Sequence, residues 1–327
     1  MNTQTDASLQ KRRVIIVGGG LAGLSAAEAL SRDLGDRFDV SVLEAKRTTG
    51  GRAGSFTDPA SGETVDYCQH VAMGCCTNLI ALLDRCGLGE SMHRYSELQF
   101  LHPTHLPSRF APSRMLPPPL HLAGAIGSLQ FLTASQKRGI RRTMFRLMRT
   151  GSDSLRDQTA AQWLGDQQQD SNAIAKFWDV VLVSALGEQT EVVSMAAARK
   201  VFVDGFAAAR GASDVLVPKQ PLAELFGRDL CAEIECLGAR VRTGSAVSKI
   251  HCEENRLVAV ETVAGQRYAA DHVISAVPWH AFGVLATQIG LSDHRSLDQI
   301  PSSPITGLHL WFDRQITELP HAVMVGT

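Results

Sequence analysis

The hydrophobic pattern near the amino terminus consists of short apolar runs separated by small-residue turns. Val14–Val17 is a β-branched apolar run that predicts a buried strand. It leads into the turn Gly18–Gly23 and then into the helix-forming stretch Leu24–Leu30. The β-prone segment Val40-Ser41-Val42-Leu43 predicts a second strand. Strand, tight turn, helix and strand in this order are typical of a nucleotide-binding α/β unit.

Each glycine of this turn has a separate predicted task. Gly18 permits the turn, Gly20 lets the backbone approach a pyrophosphate, and Gly23 allows close packing of helix on strand. Leu21 and Ala22 lie in this turn, and the helix that follows it offers N-terminal amides and a positive dipole end, which favour an anion. The alternative is a glycine-rich turn that binds nothing. The strand before it and the helix after it favour a dinucleotide site.

Glu44 follows the second strand directly, with Ala45 beside it. An acidic residue at this distance from the glycines can accept hydrogen bonds from both ribose hydroxyls, which selects an unphosphorylated ribose. The alternative is an ordinary surface carboxylate. These features predict a dinucleotide site and leave FAD and NAD as alternatives.

A second set of elements begins near residue 215, after a stretch that is predicted to be largely helical. Pro221 predicts a helix start and Gly238 its end, with apolar residues at helical spacing between them. Short β-prone runs separated by turn residues then predict a meander: Ala239–Arg242, Ala246–Ile250, Leu257–Val263 and Tyr268–Ala270. The segment Ala270–Pro278, with Val273 and Ile274 at its centre, comes next.

A basic amphipathic pattern spans residues 137–149. Six basic residues alternate with apolar ones at helical spacing, namely Lys137, Arg138, Arg141, Arg142, Arg146 and Arg149 with Ile140, Met144, Phe145, Leu147 and Met148. Such a helix can lie on anionic lipid, and apolar residues from Met115 onward add to this surface. The alternative is a basic solvent face whose apolar stripe turns to the core.

Composition and charge narrow the classes of function. Of the 327 residues 44% are hydrophobic and 20% charged, which fits a globular chain long enough for two domains. The 32 Lys and Arg residues almost balance the 33 Asp and Glu residues, so no nucleic-acid partner is expected. The seven cysteines form no CxxC pair, which predicts neither a disulfide framework nor a metal site. Residues 1–13 lack the apolar stretch of a secretory signal, and no apolar run reaches about eighteen residues, so a cytoplasmic location is expected.

One motif separates FAD from NAD. Gly50, Gly51 and Arg52 resemble the GGR motif that follows the second strand in the amine oxidase and phytoene desaturase superfamily of FAD enzymes. The resemblance implies that these glycines and this arginine lie along the phosphates of FAD, which suits close backbone approach and paired guanidinium donors. The alternative is a flexible arginine loop. The resemblance also implies that Val247 packs beside the adenine and that the strand ending at Pro278 re-enters the main sheet.

Further stretches narrow the resemblance to the squalene-associated branch, the hydroxysqualene dehydroxylases. Residues 66–75 are similar to its DxGQHxxxGC segment, residues 203–218 to its DGF…ASDxLVP segment, and residues 303–313 to its SPI…HLWFD strand. The resemblance implies that reduced flavin delivers hydride to an allylic cation formed when hydroxysqualene loses its hydroxyl. The substrate is then an apolar isoprenoid, which favours peripheral contact of residues 115–149 with the inner face of the cytoplasmic membrane.

Gln69 and His70 are the polar candidates beside the flavin. His70 could protonate the leaving hydroxyl, since imidazoles exchange protons near neutral pH; its alternative is a structural histidine. Cys68 stands where the family motif has glycine, which adds a side chain at a position of close backbone approach. Competing functions are a carotenoid-precursor desaturase, a flavin amine oxidase, and a non-catalytic remnant that binds nucleotide or lipid.

These features predict an α/β fold with a discontinuous Rossmann-type FAD-binding domain, over residues 12–75 and 215–282. A mixed α+β substrate domain is predicted over residues 76–214 and 283–327. Members of the superfamily finish with a segment carrying a Gly-Asp pair that closes over the flavin pyrophosphate. No such segment precedes residue 327, so part of the FAD site is expected to be missing and flavin retention weak. The sequence specifies no oligomeric state.

Overall fold

The computed structural model of the chain describes residues 11–68, 70–291, 297 and 299–326. Its strands are β1 (Arg12–Val17), β2 (Phe38–Leu43), β3 (Ser55–Thr57), β4 (Thr64–Asp66), β5 (Ala72–Met73), β6 (Met92–Tyr95), β7 (Leu98–His102), β8 (His105–Phe110), β9 (Val215–Pro218), β10 (Arg240–Arg242), β11 (Val247–Glu253), β12 (Arg256–Thr262), β13 (Arg267–Ala269), β14 (His272–Ser275) and β15 (Val323–Met324).

The α-helices are α1 (Leu21–Leu34), α2 (Thr77–Arg85), α3 (Ala123–Gly127), α4 (Ala134–Arg149), α5 (Ala160–Asp166), α6 (Ser171–Ala173), α7 (Asp179–Leu186), α8 (Met195–Arg199), α9 (Leu230–Cys236) and α10 (Trp279–Gln288). π-Helical segments at Ile174–Trp178, Lys200–Phe206 and Ala223–Asp229 continue or precede these helices. Short 3-10 turns lie at Gly89–Ser91, Leu120–Leu122 and Asp153–Leu155.

The chain forms two compact units. Among the described residues, unit 1 is drawn from 1–70, 81–91 and 218–302, and unit 2 from 71–80, 92–217 and 303–327. Residues 81–91 and 283–291, which the sequence boundaries place in the substrate domain, group with unit 1, whereas residues 71–75 group with unit 2.

The main sheet of unit 1 has the strand order β10-β2-β1-β14, and all its pairs are parallel. Val14–Val17 and Val40–Leu43 are buried at every position, Ser41 included, because parallel strands in this position are covered on both faces. The predicted strands β1 and β2 are confirmed. So is the return of the chain to this sheet, since His272–Ser275 pairs with Val14–Val17.

Helix α1 connects β1 to β2 and begins three residues earlier than its apolar pattern alone indicates. Leu24 and Ala27 are fully buried. Glu28 is buried as well, and its carboxylate accepts hydrogen bonds from Arg85 Nε and Nη2 at 2.9 and 2.8 Å and from Arg32 Nε at 2.6 Å. These bonds, those from Arg85 first, lower the pKa of Glu28. A buried charge is thus matched by two cations.

The second half of unit 1 corrects one sequence assignment. The helix predicted between Pro221 and Gly238 is present over 223–236, and Gly238 follows it at φ 95°. The strand after it, β10, is not part of the meander, because Arg240–Arg242 pairs in parallel with β2 in the main sheet. The meander consists of β11, β12 and β13.

Unit 2 combines helices with two small sheets. The strand orders are β15-β7-β8 and β5-β9-β6. The expectation of a largely helical stretch before residue 215 was therefore wrong over 92–110, where β6, β7 and β8 lie. The core of this unit gathers side chains from several helices around the fully buried Trp178, with Leu147, Leu164 and Met195 among them.

The predicted strand within residues 303–313 is absent. The described residues from 299 to 322 form no strand, and Leu308, Leu310, Trp311 and Phe312 are between 52% and 79% exposed. Alternating apolar residues favour a strand only when a partner strand and a core face receive them.

Helix α4 realises the predicted amphipathic helix, with its apolar stripe turned inward. Ile140 and Leu147 are fully buried in the core of unit 2, and Met144 packs against it. Phe145 is exposed, with the Arg149 guanidinium over its ring. The burial of the apolar stripe agrees with the alternative given for residues 137–149, a helix with a basic face toward solvent and its apolar side toward the core. Among the helices that the structure describes, none has the length and apolar character needed to cross a bilayer.

Candidate functional site

The first glycine loop joins β1 to α1 at the carboxyl edge of the main sheet. Gly18 has φ 108°, and a Cβ placed there would lie 2.8 Å from the Ala276 carbonyl oxygen. A Cβ on Gly23 would lie 1.9 Å from the carbonyl oxygen of Gly18. Only glycine fits at both positions, and the helix thereby packs directly on the end of the strand.

Gly20 differs from its neighbours because its Cα faces open space. The nearest atom to a Cβ built there is Gly51 Cα at 3.8 Å. Gly20 adopts an extended conformation, φ −75° and ψ 177°, at the N-cap of α1, with Leu21 and Ala22 in the first turn. The helix N-terminus therefore presents free backbone amides beside an uncrowded position, as a bound phosphate requires.

A second glycine loop lies against the first. The Gly50 amide donates to the Gly19 carbonyl at 2.9 Å, and Gly20 and Gly50 form an isolated parallel bridge. Gly50 and Gly51 have positive φ of 96° and 64°. Arg52 follows with an exposed side chain that makes no ion pair with any described residue. The predicted GGR loop and the predicted glycine turn are thus joined backbone to backbone, with one free guanidinium beside them.

Glu44 connects these loops to the end of β2. Its side chain is 8% exposed, and its carboxylate accepts hydrogen bonds from the Gly19 amide at 2.6 Å and the Lys46 amide at 2.8 Å. Ala45 is exposed between them. The carboxylate therefore orients the first glycine loop through its backbone, and its four lone-pair sites leave capacity for a ribose hydroxyl.

Two polar contacts that sequence reasoning missed anchor the second loop. The buried Thr49 hydroxyl donates to the Gly227 carbonyl at 3.2 Å and lies 3.1 Å from Cys231 Sγ. Burial raises the pKa of the Cys231 thiol. A single threonine before two glycines gives no sequence signal of such a partner, which lies 178 residues away.

The other contact fixes the β3-β4 hairpin that follows the GGR loop. Ser55 donates to Asp66 at 2.6 Å, while the Leu222 amide donates to the same Asp66 oxygen and the Ala223 amide to the Ser55 hydroxyl, both at 2.9 Å. The hairpin thereby caps the helical segment that follows Pro221. Pro221 is the one sequence feature that points to this contact, because it marks the start of a helix whose first backbone amides need hydrogen-bond acceptors.

Val247 and Pro278 occupy the ends of later elements. Val247 begins β11, is half-buried and packs on the cluster that contains Ile15, Val17 and Leu43. Pro278 is the N-cap residue of α10, two residues after Ala276, whose amide donates to Val17. Both residues lie in unit 1 with the glycine loops, and the adenine role of Val247 stays a prediction.

His70 is close to the GGR loop. Its Nε2 lies 3.1 Å from the Arg52 carbonyl oxygen, and Cys68 Sγ lies 3.3 Å from Nε2 and 3.7 Å from Nδ1. Gln69, the other polar candidate, lies outside the described residues.

The geometry meets the requirements of a dinucleotide with a diphosphate. An uncrowded glycine at a helix N-terminus, a second glycine loop with a free arginine and a buried carboxylate at the next strand all lie in unit 1. The profile of the family described as "Flavin containing amine oxidoreductase" matches residues 21–324. The chain belongs to this flavin-containing amine oxidoreductase family. Its cofactor is FAD, as the sequence predicted.

Curated relatives within the family include carotenoid desaturases. The chain is 23% identical over 320 residues to a 15-cis-phytoene desaturase of an Oncidium hybrid cultivar, covering 93% of this chain and 53% of the relative. It is 37% identical over 82 residues to a zeta-carotene desaturase of Solanum lycopersicum, covering 25% of this chain and 13% of that protein. The chain thus spans about half the length of this phytoene desaturase and a smaller part of the zeta-carotene desaturase.

Solved structures with the same fold include an oxidoreductase from Methanosarcina mazei, with a TM-score of 0.64, 16% identity, and coverage of 88% of this chain and 64% of that chain. A putrescine oxidase bound to putrescine has a TM-score of 0.59 and 20% identity, with coverage of 84% and 60%. At these identities the likeness shows the fold alone.

Proposed function

We propose that this chain belongs to a flavin-dependent oxidoreductase of a C30 isoprenoid and that the reaction is reductive dehydroxylation of hydroxysqualene to squalene. The observation that carries the proposal is the pairing, in unit 2, of residues from two of the three sequence blocks that resemble the hydroxysqualene dehydroxylases, namely 66–75 and 203–218. These blocks lie about 140 residues apart in the chain.

The paired segments come from the ends of both blocks. Strand β5 pairs antiparallel with β9, and just beyond them the Gly74 amide donates to the Asp214 carbonyl at 2.8 Å. The Cys75 amide donates to the Ala212 carbonyl at 2.9 Å. A Cβ on Gly74 would lie 1.8 Å from the Gly211 carbonyl oxygen. Gly74 and Cys75 of the first block are therefore hydrogen-bonded to Asp214 and Ala212 of the second. This contact supports the view that the two blocks act together.

The residues of this chain have three tasks in the proposed reaction. The glycine loops and Arg52 would hold the diphosphate of FAD, and Glu44 orients the first loop. FAD, when bound and reduced, would supply the hydride. In this proposal His70 delivers a proton from Nδ1 to the leaving hydroxyl, and the 3.1 Å contact of its Nε2 with the Arg52 carbonyl oxygen orients the ring. The protonated hydroxyl would leave as water, and hydride would replace it on carbon.

An anaerobic assay of the full chain tests this proposal. The chain is loaded with FAD, reduced with dithionite and incubated with hydroxysqualene, and products are separated by gas chromatography. Squalene formation supports the proposal, and a loss of at least about tenfold in rate for His70→Gln supports the proton transfer. FAD binding without squalene formation rejects it.

A carotenoid desaturase is the second candidate, because a phytoene desaturase matches along 93% of the chain. Such an enzyme removes hydrogen from its substrate instead of replacing a hydroxyl. Incubation of oxidised, FAD-loaded protein with phytoene distinguishes the two reactions, since only a desaturase produces a more conjugated polyene, detected by its absorbance. If the protein forms neither squalene nor a polyene and does not bind FAD, the non-catalytic remnant is favoured. If it oxidises an amine, an amine oxidase is favoured.

We also propose that residues 115–149 contact the anionic membrane that stores such a substrate. Arg138 and Arg142 are exposed and make no ion pair with described residues, while Met115 is 91% and Leu120 57% exposed. Because the apolar stripe of α4 is buried, the helix would bind by surface charge and not by insertion. The complete protein is expected to co-sediment with phosphatidylglycerol vesicles at low salt.

The double variant Arg138→Glu and Arg142→Glu is expected to weaken vesicle binding by at least about tenfold. Arg256→Glu, an exposed arginine on β12, is the matched control and should bind as the unaltered protein does. Equal binding by the double variant and the control, or no binding at any ionic strength, would reject this surface.

A further inference from the structure

Building on the membrane contact proposed for residues 115–149, we propose that a cavity beside α4 binds a phosphodiester, the linking group of a diacyl phospholipid headgroup. The cavity lies in unit 2, between the first half of α4 and the loop that follows α5. Its volume of about 530 Å³ falls within the range of small-molecule sites, about 300–1,000 Å³. The lining includes Arg138, Gly139 and Arg142 of α4 and Gln168, Gln169 and Asp170 of the loop.

Two arginines in this lining lack the contacts that the rest of the basic residues of α4 make. The other four each contact an oxygen atom or an aromatic ring of the protein, namely Lys137, Arg141, Arg146 and Arg149. Arg138 and Arg142 contact no such partner in the part of the chain that the structure describes. They are four residues apart, so they lie side by side on the helix and repel each other. A phosphodiester between them would relieve this repulsion and accept paired hydrogen bonds from each guanidinium.

A fixed amide donor lies in the same cavity. Gln169 Oε1 accepts a hydrogen bond from Trp178 Nε1 at 2.9 Å, which fixes the orientation of the amide because an indole N–H only donates. The Gln169 Nε2 group then lies beside Gly139, where a Cβ would be 3.1 Å from it. Glycine is unfavourable inside a helix, and here the missing side chain leaves the Gln169 amide open to a ligand.

The loop that carries Gln169 also has an unfavourable backbone conformation. Gln168 has φ 55°, in the left-handed region that residues with a Cβ rarely adopt. The other described non-glycine residues with positive φ, Glu254 and Asn255, form the tight turn between β11 and β12, where such angles are usual. Gln168 has no such turn to explain it, and strained residues of this kind cluster at ligand sites. The strain, the helical glycine and the repelling arginines all meet at one cavity.

The charges around the cavity favour one class of anion. Asp170 Oδ1 accepts hydrogen bonds from Gln136 Nε2 at 2.7 Å and from the Ala173 amide at 3.1 Å. These bonds, the one from Gln136 first, lower the pKa of Asp170, so its carboxylate is ionised at neutral pH. Two guanidinium groups and one carboxylate together leave a single positive charge. This charge matches a phosphodiester, which carries one negative charge, better than a phosphate monoester, which carries nearly two.

Isothermal titration calorimetry of the full chain with glycerophosphoglycerol tests the cavity without a membrane or an isoprenoid. This probe is the deacylated headgroup of phosphatidylglycerol. Gln169→Glu keeps the acceptor for Trp178 Nε1 but replaces the free donor with a negative charge, so the affinity should fall by at least about tenfold. Gln167→Glu is the matched control, because it makes the same charge change where the side-chain oxygen accepts from Arg146 Nη1. Its affinity should stay within about twofold of the unaltered protein.

Gly139→Ala tests the shape of the cavity without changing any charge. The methyl group would lie 3.1 Å from Gln169 Nε2 and displace this donor, so the affinity should fall about threefold. The Tm should not fall, because alanine is the better helix former. An unchanged Tm in Gln169→Glu likewise verifies that this variant is folded.

Co-sedimentation with phosphatidylglycerol vesicles identifies the source of the phosphodiester. If Gln169→Glu weakens binding to vesicles as well as to the soluble headgroup, the cavity holds the phospholipid. If it weakens binding to the soluble headgroup alone, the cavity is a phosphodiester site and the phospholipid is rejected as its ligand. Vesicle binding without headgroup binding would overturn the cavity and leave the charged surface of α4 intact. Equal weakening by Gln169→Glu and Gln167→Glu would also overturn the cavity.

Discussion

Gly20 and Gly23 lie three residues apart in one turn, and the structure gives them opposite sensitivities to substitution. In Gly23→Ala the new Cβ would lie 1.9 Å from the Gly18 carbonyl oxygen, whereas ordinary contact begins near 3.4 Å. Helix α1 must therefore move by about 1.5 Å. Such overpacking costs about 1–3 kcal/mol, offset by up to about 1 kcal/mol because alanine is the better helix former. In Gly20→Ala nothing lies closer than 3.8 Å, and φ is −75°, so the fold should tolerate the methyl group.

The two variants should consequently separate stability from cofactor binding. For Gly23→Ala a net loss of about 2 kcal/mol corresponds to a fall in Tm of about 4–8 °C. For Gly20→Ala the Tm should stay within about 1 °C of the unaltered protein. Its methyl group, however, occupies the approach to the pyrophosphate, and a tenfold to hundredfold weaker Kd for FAD is expected, about 1.4–2.7 kcal/mol.

Differential scanning calorimetry of the apoprotein and a fluorescence titration with FAD measure the two quantities. Gly124→Ala in α3 is the control, because no atom lies within 4 Å of its Cβ position. It should leave the FAD affinity unchanged and should not lower Tm, since alanine is the better helix former. If Gly20→Ala lowered Tm as much as Gly23→Ala, or bound FAD with unchanged affinity, the assignment of the open side of Gly20 to the pyrophosphate would be wrong.

Three further predictions concern ionisable groups in unit 1 and unit 2. Bonding to Arg13 lowers the pKa of Asp271 from 3.8 to about 2, so its stabilisation is present above about pH 4 and lost as pH falls toward 2. Asp271→Asn should thus lower the free energy of unfolding, measured in urea at neutral pH, by about 1 kcal/mol. The value is small because the Arg13 and Asp271 side chains are both more than a third exposed. The difference between the variant and the unaltered protein should vanish toward pH 2. Burial lowers the pKa of His121 below 6.5, so stability should fall as pH drops below about 6.5, and His121→Phe should reduce this acid sensitivity in a thermal-shift pH series. Glu28→Gln should cost about 2 kcal/mol in the same urea titration, since buried charge-assisted hydrogen bonds are lost, and an unchanged midpoint would contradict this role.

The parts of the site that the sequence predicted are those whose chemistry is local. Gly18 and Gly23 are recognisable because a tight turn between strand and helix needs glycine within a few residues, and Glu44 because it follows the second strand directly. Thr49 and Asp66 were missed, since their partners lie far along the chain and a single polar side chain does not identify a distant acceptor.

The two corrected strand assignments have the same origin. The Arg240–Arg242 segment has β-prone residues, but its membership of the main sheet depends on hydrogen bonds to β2, some two hundred residues earlier. The apolar alternation around Trp311 predicts a strand, yet no described strand pairs with it. Periodicity indicates which residues can form a strand, whereas pairing determines whether one forms.

The bridge between Gly20 and Gly50 has a thermodynamic consequence. Two flexible glycine loops would each lose conformational freedom when a ligand ordered them, and glycine loses more than any other residue. Here the Gly50–Gly19 hydrogen bond and the Glu44 carboxylate order both loops during folding. The loops therefore lose their conformational entropy when unit 1 folds and not when the dinucleotide binds. The entropic cost of binding then comes mainly from the motions that the ligand itself loses.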